Sequence, residues 1–233
     1  MTIEIRAYDH GKKDGFGAIS ARFFRACQGL ASVTPHLADW KGDAGGVEIP
    51  VATTEDADAV VGAAARMWML GAEELAAYGP SARSGASGRV AMVGGVPPID
   101  LPAWVPNQMI ATIDGAAEVE LRTDPKLLVA CLEKIVVAAE PAWAVVSSDD
   151  FPTAPVPPFA DGSPAVGWYT WLSSKFPPLP AVLPEGATSR ELAGGVLLVA
   201  HPTRADRLAI ERLDAALRAA KVLLSARDWR AAK

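Results

Sequence analysis

The chain has 233 residues, half of them hydrophobic and 21% charged, with a formal net charge of −5. So much apolar content can bury a real core and excludes disorder throughout, and one α+β domain over 1–233 is the expectation at this length. The mild acidity disfavours direct nucleic-acid binding, which needs a basic face, and suits a partner that is itself basic.

The two cysteines, Cys27 and Cys131, each fall inside an apolar helical pattern. There a cysteine behaves as a small buried hydrophobe, and a secreted disulfide framework would show more of them at closer spacing. The start, Met1-Thr-Ile-Glu-Ile-Arg6, carries charge at alternate positions and lacks the basic-then-apolar order of a signal peptide. No stretch of 18 apolar residues free of charge and proline occurs. A cytoplasmic protein with no membrane span or membrane partner is therefore expected.

In chain order, Ile3, Ile5 and Ala7 alternate with Glu4 and Arg6, predicting a half-buried strand. After a loop at 11–17, Ser20 is a candidate N-cap for a helix to about residue 33, ended by Thr34-Pro35. A turn-rich link follows at 36–46. Thr53 or Thr54 opens a second helix, with Glu55, Asp56 and Asp58 suiting its dipole, that runs toward Met69. Residues 78–88, rich in Gly and Ser, read as a flexible loop. Strands are expected at 89–93 and 108–113, and a third at 119–121.

Asp124-Pro125 is a cap and first helical residue, and Leu127, Leu128, Cys131, Leu132, Ile135 and Val136 make the apolar face of the helix that follows. Strands follow at 143–147 and 166–172, separated by an acidic, proline-rich loop at 149–164. The prolines of 176–184 keep that segment out of a sheet interior. A buried strand at 195–200 and a helix from about residue 204, with Leu208, Ile210, Leu213 and Leu217 on its face, complete the chain. Helices and strands do not alternate strictly, so a mixed or antiparallel sheet packed against helices is favoured over a doubly wound parallel one.

Little in the chain has the pattern of an active site. His10, His36 and His201 are far apart, and no Gly-x-Ser-x-Gly elbow is present. Zinc-ligand spacing and a phosphate-binding glycine loop are both lacking, so no metal, no cofactor and no catalytic residue is assigned. A hydrolase or transferase triad assembled from distant residues is the alternative reading. His201, after an apolar strand, reads as a strand-end residue bonded to backbone. Asp149-Asp150 closes a strand, where neighbouring side chains point to opposite faces, so the pair suits a turn or a partner contact better than catalysis. Trp168 and Trp171, three apart, would face opposite sides of a strand, one in the core and the other covering a second layer or anchoring an interface.

Four pieces in order carry a resemblance to a known family: Ile5-Arg-Ala-Tyr8; the helix and exit from Ala21-Arg-Phe-Phe24 to Ala38-Asp-Trp40; Leu127-Leu-Val-Ala-Cys-Leu132 running into Glu140-Pro-Ala-Trp-Ala-Val-Val-Ser-Ser148; and Val166-Gly-Trp-Tyr-Thr-Trp-Leu172 with the later Leu179-Pro180, glycine-led strand and terminal helix. In this the chain resembles the immunity protein 52 family, cytosolic antitoxins of bacterial polymorphic toxin systems. It departs at Tyr8-Asp-His-Gly11, where the family has an aromatic and glycine after the tyrosine, and in the Gly/Ser/Pro-rich 79–106. The resemblance implies a protein without catalytic residues that binds and neutralises a cognate toxin. That toxin would be a DNA-cleaving effector of restriction-endonuclease fold, of the kind delivered by type VI secretion. On this reading Asp149, Asp150, Phe151, Asp161 and Trp168 are the candidate toxin contacts, the carboxylates facing a basic nuclease cleft.

Overall fold

Strand β1 (Ile3–Asp9) forms as its alternation predicts, with Ile3, Ile5 and Ala7 buried and Glu4 and Arg6 half-exposed. The structure is a computed structural model that describes residues 1–9, 14–70, 73–85, 87–95, 107–148, 163–203, 205–225 and 228. Helix α1 (Phe16–Ala31) begins before Ser20, on an extended Gly15. Ser20 instead lies inside the helix and bonds its hydroxyl to Asp58. A short 3-10 turn (Pro35–Leu37) leads to β2 (Trp40–Asp43) and β3 (Glu48–Pro50). Helix α2 (Thr54–Ala63) starts at a reciprocal capping box between Thr53 and Asp56. The bonds that Asp56 accepts from Thr53 and Ala52 hold its carboxyl below the usual carboxylate range.

Next come β4 (Ala65–Leu70), β5 (Glu73–Tyr78), β6 (Ser81–Ser84), β7 (Gly88–Val93) and β8 (Asn107–Ile113). Helices α3 (Gly115–Thr123) and α4 (Pro125–Ala139) precede β9 (Trp143–Ser148), β10 (Tyr169–Ser173), β11 (Thr188–Leu192), β12 (Gly195–Val199) and α5 (Arg207–Ala219). Ten strands form one sheet in the order β11-β12-β10-β9-β1-β8-β7-β6-β2-β3, and β4 pairs with β5 separately. Every pairing among the described residues is antiparallel. The α+β class is as expected.

Helices α1, α2 and α4 form one layer on the sheet, α1 lying between the other two. Beneath them sit Ile3, Ile5 and Ala7 with their cross-strand partners Ile113, Ala111 and Met109. Strands β9 and β10 are buried on both faces over their first four residues. Helix α5 adds Ile210, Leu213 and Leu217 to the core.

Further expectations need correction, among them the strand at 166–172, which begins only at Tyr169. The second helix stops at Ala63, where the amide of Ala64 closes onto the carbonyls of both Val60 and Val61. The apolar residues after it continue as β4, since periodicity alone does not separate a short apolar run in a helix from one in a strand. Residues 119–121 belong to α3. Ala117 and Leu121 are buried four apart, while Val119 is 59% exposed. The link at 36–46 and the loop at 78–88 contain β2 and β6, two strands that alternate buried and exposed residues. Leu208 is exposed, off the buried face of α5. Strand β11 was not foreseen, because four of its five residues are exposed and give no apolar alternation.

Gly195 marks a close approach. A Cβ built there would lie 2.4 Å from the Leu172 carbonyl oxygen and 2.5 Å from Cζ2 of Trp171. Trp171 is itself fixed, its indole N–H donating to the Leu192 carbonyl at 2.8 Å. Overpacking of this kind costs about 1–3 kcal/mol. Gly195→Ala should therefore lower the unfolding free energy by that much, as read from urea denaturation. Gly17→Ala, on open helix surface with nothing within 4 Å, should be neutral or stabilising by up to about 1 kcal/mol.

Candidate interaction surface

The sheet face away from α1, α2 and α4 is built by the second half of each strand's alternation. Register aligns its side chains in rows that cross the strands. One row reads Lys41, Arg83, Arg89, Thr112, Glu4, Ser147. Lys41, Arg83 and Arg89 are exposed, each between buried neighbours on its own strand. Three like charges thus stand directly opposite one another on adjacent strands. Lys41 reaches Glu48 at 3.9 Å, an exposed pair of small worth. Arg83 and Arg89 have no ion pair among the described residues.

Beside this row an open groove of about 940 Å³ is lined by Lys41 and Arg83 together with Gln28, Asp39, Trp40, Glu48 and Pro50. Gln28 is held in place, its amide donating to the Val51 carbonyl at 2.8 Å. Asp39 takes a left-handed backbone conformation, with φ of 56°.

At the middle of the face the charges are satisfied locally. Arg6 Nε donates to Glu4 at 2.9 Å. Burial pulls the Arg6 guanidinium down, and Tyr8 and Glu4 more than offset it, leaving it above its ordinary value. Burial pushes the Tyr8 phenol up. The Tyr8 ring stacks on Trp143 at 5.0 Å, directly across the β1–β9 pairing.

Of the expected contact residues, Asp149, Asp150, Phe151 and Asp161 lie outside the described residues. Trp168 is 8% exposed, with its indole N–H donating to the His201 carbonyl at 3.0 Å and its ring 4.8 Å from Tyr169. Trp143 and Trp171 are buried too, so the structure turns none of the three outward. His201 accepts the Thr203 amide on Nδ1 at 3.4 Å, close to its expected strand-end role. His36 is exposed, and His10 lies outside the described residues. No metal-holding group of three or more His, Cys, Asp or Glu occurs among the described residues.

The cationic row escaped sequence reading because 41, 83 and 89 meet only through strand register. The signal available was local: Trp40-Lys41-Gly42, Ala82-Arg83-Ser84 and Gly88-Arg89-Val90 each set a cation between buried residues.

No protein-family model matches the chain, and no curated protein matches it. Among solved structures it is similar to a Pseudomonas aeruginosa protein described as T6SS protein PA0821. Identity is 13% and the TM-score 0.54, over 93% of this chain and 72% of that one. At that identity the likeness is one of fold.

Like charges directly opposite on adjacent strands destabilise a sheet. Arg83→Thr should therefore raise stability by about 0.2–1 kcal/mol at low salt. The gain should shrink in 1 M salt, where screening acts within about 3 Å, and both are read by urea unfolding.

Cys27 and Cys131 are free and buried, as expected. Burial pushes both thiols up to about 12 from an ordinary 9.0. Iodoacetamide at mildly alkaline pH should label neither in the native protein and both in denaturant. The unfolded thiols ionise first, so this contribution to stability is whole below about pH 9 and is lost as pH rises toward about 12.

Proposed function

We propose that this chain is an immunity protein of a type VI secretion system, which binds a cognate toxin in the cytoplasm and prevents its action. The observation that carries the reading is the fold shared over 93% of the chain with a protein described as a T6SS protein. The resemblance to the immunity protein 52 family supports the finer part, neutralisation of a DNA-cleaving effector of restriction-endonuclease fold. An open sheet face and groove bordered by charged side chains suits binding, and among the described residues no serine, cysteine or histidine lines the groove. The acidic segment around Asp149 and Asp150 is proposed as one contact with the toxin, competing for the basic cleft that a nuclease offers DNA.

The test is co-expression with its cognate toxin. The protein should restore growth and co-purify with the toxin as a stable complex. Failure of both, with the two proteins folded, defeats the reading. Within the complex, replacing Asp149 and Asp150 together by Ala should weaken binding by about 2–5 kcal/mol if the pair is buried at the interface, or about 1 kcal/mol or less at its rim. Thermal stability should hardly change. Calorimetric titration alongside thermal unfolding separates these outcomes, and unchanged affinity would move the contact elsewhere.

A further inference from the structure

We infer that the Lys41–Arg83–Arg89 row is a docking surface for an extended acidic segment of the partner protein. The inference rests on the binding role proposed above and assigns a second contact, opposite in charge to the acidic segment considered there.

Three exposed cations in adjacent register repel one another, and among the described residues Arg83 and Arg89 have no ion pair to relieve them. Such an arrangement is stabilised when a partner brings the anions. Adjacent strands are about 4.8 Å apart, so the three positions span roughly 10 Å. In an extended peptide laid along the row, side chains at i and i+2 point the same way and lie about 6.7 Å apart. Two such carboxylates fit between three cations, each bridging a neighbouring pair. An arginine fork can hold a carboxylate through two parallel N–H donors. The groove beside Lys41 and Arg83 gives the chain somewhere to continue, past Trp40 and the fixed amide of Gln28.

The same surface disfavours a nucleic acid. Asp39 and Glu48 line the groove, and Glu4 stands further along the row after Thr112. A polyanion charged at every unit would meet these carboxylates in either direction. A peptide with two or three spaced acids avoids them.

The experiment uses the full-length protein and its cognate toxin, with two double variants, Arg83→Gln/Arg89→Gln and Arg83→Glu/Arg89→Glu. Urea unfolding checks that both fold, and the Gln pair should be at least as stable as the parent because it loses the repulsion. Calorimetry at 50 and 300 mM salt then reads the complex. The Gln pair should bind about 10-fold more weakly and the Glu pair about 100-fold or more, with a flatter salt dependence in the Gln pair. A parent that binds the toxin and variants that bind it equally well overturn the docking surface and leave the immunity role standing. A parent that forms no complex overturns the immunity role, and the docking surface with it. Oligo(dT) serves as the competing probe. If it binds the parent at 150 mM salt and is lost in the Glu pair, the row is a nucleic-acid site and the protein-segment assignment fails.

Discussion

Pairing of β1 with β8 on one side and β9 on the other holds the two halves of the sheet in a single register. All else in the molecule is referred to that strand. Its odd-numbered residues, from Ile3 to Ala7, meet the helical layer, and its even-numbered ones, from Glu4 to Tyr8, face away. A slip of one residue would exchange the two sets and bury Glu4 and Arg6 under the helices. The same register runs on through β8 and β7 to β6 and β2. It therefore decides whether Arg89, Arg83 and Lys41 stand in line.

The helical layer is tied down by charge as well as by apolar contact. Arg22, on the buried face of α1, pairs with Asp14 and reaches Glu140 at 3.4 Å. Glu140 takes the left-handed conformation that ends α4, with φ of 48°. Arg25 donates to the Ala138 carbonyl at 3.3 Å, a cation set at the negative end of α4. These contacts fix the crossing of α1 and α4 at one end, so the two helices settle on the sheet together. Removing one member of a buried pair strands the other, which makes the tie more consequential than its gross attraction suggests.

The parts of this fold legible in the sequence were those whose neighbours in space are also neighbours in the chain. The face of α4, the alternation of β1 and the apolar run of β12 each follow from local spacing, and Asp124-Pro125 marks a helix start without further context. Strands β2 and β6 stayed hidden because they are short, and because the small residues Gly42, Ala82 and Ser84 fill their buried positions. Those small residues are required by the packing: a Cβ on Gly42 would come 2.7 Å from a Val60 methyl of α2. The burial of both Trp168 and Trp171 was equally beyond local reasoning, since the backbone enters β10 only at Tyr169 and Trp168 precedes the regular alternation. The cationic row required the strand order, which no spacing within the chain specifies.

The two margins of the sheet have a bearing on how partners are chosen. Strand β3 is three residues long and ends in Pro50, which has no amide hydrogen to offer. Strand β11 carries Arg190 and Glu191 along its exposed length. Neither border of the large sheet invites a foreign strand to extend it. Backbone pairing is nearly blind to sequence, whereas contacts across the broad face depend on which side chains project from it. Those side chains alternate with the ones that hold the fold. Where the outward residues are exposed, as at Lys41, Arg83 and Arg89, they can change identity while the inward set keeps the architecture, so the character of that part of the face can vary on one unchanged scaffold.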